Sequence, residues 1–281
     1  MGLPIKKLIY EISAHKELPF QDRIPITTLR GAFGYSLLQI IARDEAIGQA
    51  DKVAICKQLF YSNDISDNAT HSNSARPFVM RGGFTRPDNK SFILEMILFG
   101  NAISAEVLVD KIIKNMCIMG LGNQNLICDC LKLGGEDITP AIPELSSSCV
   151  INFQTPTRIK QNRKYFQEGI PFPNLFARLA DRLKELINVY TESSFDLDLL
   201  ELKKASKQIG MIVNEGNFYE ATRHSTRTGD DCDLSGFVGE VLYTGNLQPF
   251  SEFLAYLPWI NIGSSTAFGC GWCTLEYNKL I

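Results

Sequence analysis

Three histidines stand in this chain of 281 residues: His15, His71 and His224. Imidazole gives and takes protons near neutral pH, so acid–base chemistry is sought first at these positions. His224 lies in "ATRHSTR", with Arg223 beside it, Arg227 just beyond and Tyr219 upstream. An imidazole between two guanidiniums suits a phosphate: the cations neutralise the anion and favour the neutral ring that can act as a base. The competing role is a strand-end histidine that contacts a phosphate without proton transfer, or faces solvent. Asp230, Asp231 and Asp233 follow closely and would repel a phosphate if they shared its face.

His15 sits in "SAHKELPFQDR", beside Lys16, and is the second candidate acid or base, with a plain surface histidine as the alternative. His71 falls in a polar stretch and reads as solvated. Cations gather again in "RIKQNRK", where Arg158, Lys160, Arg163 and Lys164 have no acidic residue between them. Such a run can contact successive phosphates, and arginine can stack on unpaired bases; it can equally be a solvated face. Near the end, "INIGSSTAFGCGW" concentrates Gly263, Ser264, Ser265, Gly269 and Gly271. Small residues leave backbone N–H groups uncovered, so either a chain of phosphates or a neighbouring backbone can approach closely.

The rest of the composition bounds these readings. With 28 Lys+Arg against 31 Asp+Glu the formal net charge is -3, so a polyanion must be met by a local patch. Hydrophobic residues at 45% and charged residues at 21% describe a folded chain. The N-terminal "MGLPIKKLIYEISAH" lacks the apolar core of a signal peptide, and no run approaches the roughly 20 apolar residues of a membrane span. The eight cysteines are therefore expected to be reduced thiols of a cytoplasmic protein. Cys270 and Cys273 have the spacing of half a zinc site, but no second pair accompanies them, and Cys128 and Cys130 alternate as along a strand. Core residues, with no metal and no cofactor, are the expectation.

The elements that must position these residues follow from hydrophobic period. "KKLIYEISA" alternates as a strand; "ITTLRGAFGYSLLQIIA" puts Leu29, Phe33, Leu37 and Ile41 on one helical face, with Thr27 or Thr28 as cap. The segment from Tyr61 to Ala75 is polar and loop-like. "RPFVMRGGF" and "KSFILEMILFG" predict two strands, "SAEVLVDKIIKNMCIMG" a helix buried through Val107, Ile112 or Ile113 and Met116, and "LICDCLKLGG" a further strand. This β-α-β-β-α-β order is ferredoxin-like. After the linker "EDITPAIPELSSS" the order partly repeats. A strand at "CVINFQT" leads to a helix with Leu175, Leu179, Leu183 and Leu186 on one face, and a helical "DLDLLELKKASKQ" follows. Strands come next at "MIVNEGNFYEATRH" and "GFVGEVLYTG", then a short helix at "FSEFLAYLPWI" and a last strand "WCTLEY". The expected architecture is α+β, two tandem ferredoxin-like domains at 1–140 and 149–281.

Four stretches in order, "LRGAFGYSLL", "FQTPTRIK", "RHSTR" with "LSGFVGEVLYTG", and "IGSSTAFGCGW", resemble the CRISPR repeat-processing endoribonucleases of the RAMP superfamily. The resemblance implies a protein that binds CRISPR repeat RNA and cuts it without metal. In that reaction a ribose 2′-OH attacks the adjacent phosphate and leaves a 2′,3′-cyclic phosphate and a 5′-OH. It further implies that Gly263, Ser264, Ser265, Gly269 and Gly271 approach the RNA backbone. On that basis His224 and His15 are the candidate catalytic pair, and Arg158, Lys160, Arg163, Lys164, Arg223 and Arg227 the candidate RNA-binding cations. Two departures bear on activity: relatives commonly carry His and Lys where this chain has Asn261 and Ser264, and often Tyr where it has His224. A catalytically silent RNA-binding subunit of a CRISPR effector complex is the alternative. The sequence leaves open a homodimer, the effector subunits that would receive the product, and the structure of the repeat.

Overall fold

A computed structural model of the chain describes residues 2–19, 26–46, 75–87, 89–122, 124–145, 147–224 and 231–277. His71, Arg227, Asp230, Cys56 and nearly all of the polar segment from Tyr61 lie outside the described residues, and for Arg223 and His224 the backbone alone is described. The chain divides into two compact units: Leu3–Ile138 with Val189–Thr191, and Thr139–Asn188 with Glu192–Ile281.

In the first unit the strands are β1 (Ile5–Ala14), β2 (Phe78–Thr85), β3 (Ser91–Phe99) and β4 (Cys128–Ile138); the helices are α1 (Ile26–Ala46) and α2 (Glu106–Met119). The sheet runs β2-β3-β1-β4, antiparallel throughout, which is the ferredoxin-like order. Alternation in β1 turns Leu8, Tyr10 and Ile12 into the core and leaves Lys7 and Glu11 half-buried on the other face. The expected stripe of α1, Leu29, Phe33, Leu37 and Ile41, is buried against them. The hydroxyl of Ser36 donates to the carbonyl of Ile112 at 2.8 Å and accepts from Asn115 at 3.0 Å, which fixes α1 beside α2.

Two local expectations change. Helix α1 begins at Ile26, so Thr27 and Thr28 stand inside its first turn rather than at its cap. Val107 is 70% exposed. A 3₁₀ turn at Gly100–Ala105 starts α2 at Glu106 and sets its buried stripe at Val109, Ile112, Ile113, Met116 and Cys117, which leaves Val107 on the outer side.

The second unit has its main sheet in the order β12-β5-β11-β8, the same arrangement, from β5 (Ser148–Thr157), β8 (Gly210–Tyr219), β11 (Gly236–Thr244) and β12 (Cys273–Glu276). Its long helix α3 (Phe172–Tyr190) buries Leu175, Leu179, Leu183 and Leu186 completely. Each such side chain contributes roughly 1.5–3 kcal/mol of hydrophobic stabilisation. Phe172 and Phe176 of α3 meet Tyr243, Phe250 and Phe253 edge to face. Short helices α4 (Leu200–Ser206), α5 (Ser251–Leu254) and α6 (Leu257–Ile260) complete the helical set. The tandem ferredoxin-like α+β fold expected from element order is the fold observed.

Two small hairpins interrupt this second unit, and neither is expected from the sequence. One pairs β6 (Lys160–Gln161) with β7 (Lys164–Tyr165); the other pairs β9 (Thr222–His224) with β10 (Asp231–Asp233). Both are too short to carry a strand period. Among the described residues no helix is long and apolar enough to cross a membrane.

Candidate functional site

The run "RIKQNRK" is a hairpin. Lys160 faces Tyr165 and Gln161 faces Lys164 across it, so Asn162 and Arg163 form a two-residue turn. Their φ angles of 51° and 67° are left-handed, as a tight hairpin turn of the primed class requires. Asn tolerates that conformation, but for arginine it costs of order 1–2 kcal/mol. Lys160, Arg163 and Lys164 are exposed on this projection, and the Lys160 ammonium lies 4.5 Å from the centre of the Tyr165 ring.

Arg158 behaves differently from its neighbours. It is 5% exposed, so it is not the solvent-facing cation expected from the run. Its Nη1 donates to the carbonyl of Ser235 at 2.5 Å, and its Nη2 donates to the Tyr165 hydroxyl at 2.7 Å and to the Asp233 carboxylate at 3.2 Å. The guanidinium also stands 4.4 Å from the centre of the Tyr165 ring. The backbone carbonyl of Arg158 accepts the N–H of Ser264 at 3.0 Å. Asp233 in turn accepts the Ser235 N–H at 2.8 Å. Its carboxyl is held down to about 2, first by the hydrogen bonds from Ser235 and then by Arg158.

The glycine-rich loop rests on neighbouring backbone. Ile262 N–H donates to Gly271 at 2.9 Å and Gly271 N–H to Pro156 at 3.1 Å, so the loop is pinned to itself and to the end of β5. Gly263 has φ +85°, and a Cβ there would lie 2.7 Å from the Arg158 carbonyl oxygen. Gly269 and Gly271 are buried and turn the chain from within, whereas Ser264 is exposed and Gly263 and Ser265 are partly so. The exposed part of the loop thus includes Gly263 to Ser265, whereas Gly269 and Gly271, expected beside them, stand inside. Asn261 is fully buried and its amide donates to the Cys270 carbonyl at 2.9 Å, which holds the loop's two ends together.

His224 pairs through its backbone with Asp231 in the β9–β10 hairpin, and Arg223 pairs with Cys232. That hairpin is anchored where Leu234 N–H donates to Ala221 at 2.7 Å and the Ala221 N–H to the Ser235 hydroxyl at 3.0 Å. His15 belongs to the other unit, at the end of β1. Its Nε2 is 3.3 Å from Asp129 Oδ2, and both side chains are well exposed. Sequence reasoning alone misses Tyr165, Asp233 as an ion-pair partner, and Ser235. None of them stands out by type or spacing, because their role arises from the packing around one arginine.

Burial raises the thiols of Cys128 and Cys270 to about 11 and that of Cys149 to about 12. Among the described residues no group of three or more His, Cys, Asp and Glu side chains is placed to hold a metal ion.

The sequence profile of the CRISPR-associated endoribonuclease Cas6 matches residues 151–273, the stretch that holds Arg158, both small hairpins and the glycine-rich loop. No curated protein matches the sequence. Solved structures share the fold over the whole chain. A Cas6 product complex matches with TM-score 0.62 at 12% identity, covering 97% of this chain and 99% of that one. A Thermus thermophilus Cas6 matches with TM-score 0.57 at 11% identity, covering 98% and 99%. A second Cas6 product complex matches with TM-score 0.54 at 15% identity, covering 97% and 100%. At these identities the structural likeness establishes the fold, and the profile match is a likeness of residues 151–273 to that family.

Proposed function

We propose that this protein is a Cas6-like endoribonuclease that binds CRISPR repeat RNA and cleaves it by internal attack of a ribose 2′-OH, a reading supported by the profile match over residues 151–273 and by the fold. One observation supports the reading above others. Three of the stretches that carry the family resemblance, "FQTPTRIK" (153–160), "LSGFVGEVLYTG" (234–245) and "IGSSTAFGCGW" (262–272), meet within hydrogen-bond distance at Arg158, through Ser235 and Ser264. With the rest of the basic hairpin they present exposed Lys160, Arg163, Lys164 and Ser264, cations and a small-residue backbone of the kind that follows a phosphate chain.

Internal transesterification needs a base for the 2′-OH, an acid for the leaving 5′-oxygen and positive charge for the phosphorane. His224 takes the acid or base role and Arg223 and Arg227 the cationic one in this proposal; His15, in the other unit, is a separate candidate for proton transfer. Water is not consumed in the step: the 2′-oxygen bonds to phosphorus, the 5′-oxygen leaves and takes a proton, and the products are a 2′,3′-cyclic phosphate and a 5′-OH. Lys160, Arg163 and Lys164 hold the strand, with the exposed part of the glycine-rich loop beside it.

Asn261 favours a second reading. It occupies a position where the family resemblance implies a histidine, yet its amide is consumed in closing the loop. A chain without a catalytic group there could bind repeat RNA without cutting it, as a subunit of an effector complex. The two readings part in one experiment: labelled repeat RNA is incubated with protein in excess EDTA and the fragment ends are weighed by mass spectrometry. A discrete product with a cyclic phosphate supports cleavage. Tight binding with intact RNA supports the silent subunit, and activity that disappears in EDTA and returns with Mg²⁺ overturns the metal-free route.

A further inference from the structure

We infer that Arg158 is a positioning residue, one that ties the basic hairpin, the hairpin bearing His224 and the glycine-rich loop into a single RNA-facing surface, and is not itself a phosphate ligand. The inference rests on the proposed function for its consequence and on the hydrogen bonds alone for its structure. Arginine's planar fork is what the place demands. Nη1 reaches the carbonyl of Ser235 at the foot of the β9–β10 hairpin, while Nη2 reaches Tyr165 at the foot of the β6–β7 hairpin and Asp233 at the end of β10. A lysine's three donors radiate from a single nitrogen, so it cannot span partners that are reached here from two separate nitrogens. The same residue's carbonyl takes the Ser264 N–H, so its backbone sets the loop while its side chain sets both hairpins.

Charge points the same way. The guanidinium is buried and already paired with a carboxylate, so a phosphate arriving there would meet Asp233 as well. The exposed Lys160, Arg163 and Lys164 carry no such neighbour in the hairpin. Tyr165 completes the tie: its ring lies against both the buried Arg158 and the exposed Lys160, and so couples the anchor to the RNA-facing surface.

The test uses the full chain and the variants Arg158→Lys and Asp233→Asn, with Lys164→Ala as comparator. Asp233 is 56% exposed, so its replacement leaves the fold intact even if that of Arg158 does not. In the free protein, amide hydrogen exchange should rise by about tenfold or more in both hairpins for each of the first two variants, and in neither for the comparator. With repeat RNA, both should bind with the wild-type salt dependence yet cleave roughly 10- to 100-fold more slowly at saturating protein, since misplacement acts on geometry. Lys164→Ala, a proposed strand contact, should instead flatten the salt dependence by about 0.9 log unit while hydrogen exchange in both hairpins stays at the wild-type level.

Increased exchange confined to the hairpin that carries the substitution would overturn the tie. A flattened salt slope in Arg158→Gln, which removes the charge that lysine keeps, with Asp233→Asn at the wild-type rate would make Arg158 a phosphate ligand and overturn the inference. A wild-type protein that fails to bind repeat RNA would overturn the proposed function, while the exchange data would still decide the tie.

Discussion

A Cβ built on Gly271 would lie 1.8 Å from the carbonyl oxygen of Ile262, a separation that no side chain can occupy. The two residues also share the hydrogen bond from Ile262 N–H to the Gly271 carbonyl, so the loop closes on itself at this point. Replacing Gly271 with Ala, at φ +75°, is expected to cost more than about 3 kcal/mol. Gly31→Ala makes the control: this glycine lies in α1 with nothing within 4 Å of its Cβ position, and the change should stabilise by roughly 0.5–1 kcal/mol. Urea midpoints of the two variants, moving in opposite directions, check both.

The hairpin turn separates stability from binding. Arg163→Gly removes a side chain from a left-handed position, so stability should stay level or rise by up to about 1 kcal/mol. RNA affinity should fall, and its salt dependence should flatten by about 0.9 log unit, the share of one phosphate that the protein no longer neutralises. Filter binding across a salt series reads the slope. An unchanged slope would make Arg163 a solvated cation.

Catalysis and recognition part at the histidines. His224→Ala should slow single-turnover cleavage by roughly 10² to 10⁴ with affinity within a few-fold, because proton transfer helps mainly in the transition state. The same pair of measurements on His15→Ala tests that residue by itself. If both variants cut at the wild-type rate, the histidine mechanism fails, and Lys, Arg, Tyr or Ser groups must orient the phosphate for in-line attack.

Asp233 fixes a pH limit for the anchor. An unfolded aspartate ionises near 3.9, and here the value is held down to about 2, so the ionised form favours the folded state. That contribution is complete above about pH 4 and is lost as pH falls through about 2. A carbon-13 titration of the Asp233 carboxyl should show its midpoint near 2, moving towards 4 when Arg158 and Ser235 are replaced together. Cleavage profiles above pH 4 should carry no inflection from this residue.

The order of the main strands and helices, the two small hairpins apart, was written in the sequence, because burial on one face of a sheet or helix imposes a period. Leu175, Leu179, Leu183 and Leu186 recur at helical spacing and are all buried; Leu8, Tyr10 and Ile12 alternate and are all buried. The exposed cations Lys160, Arg163 and Lys164 were also legible, since a charged head stays in water unless a partner pays for its burial. Arg158 was not, for it belongs to the same run by type and differs only in what lies around it. Its burial depends on Tyr165, Asp233, Ser235 and Ser264, and three of these are 75 or more positions away in the chain. The glycines divide for the same reason: composition fixed that something approaches the loop closely, and only the packed chain decided that at Gly263 and Gly271 it is the protein's own backbone. Local period is a property of neighbours in sequence, whereas the partner of a buried charge is chosen by the sheet that brings distant segments together.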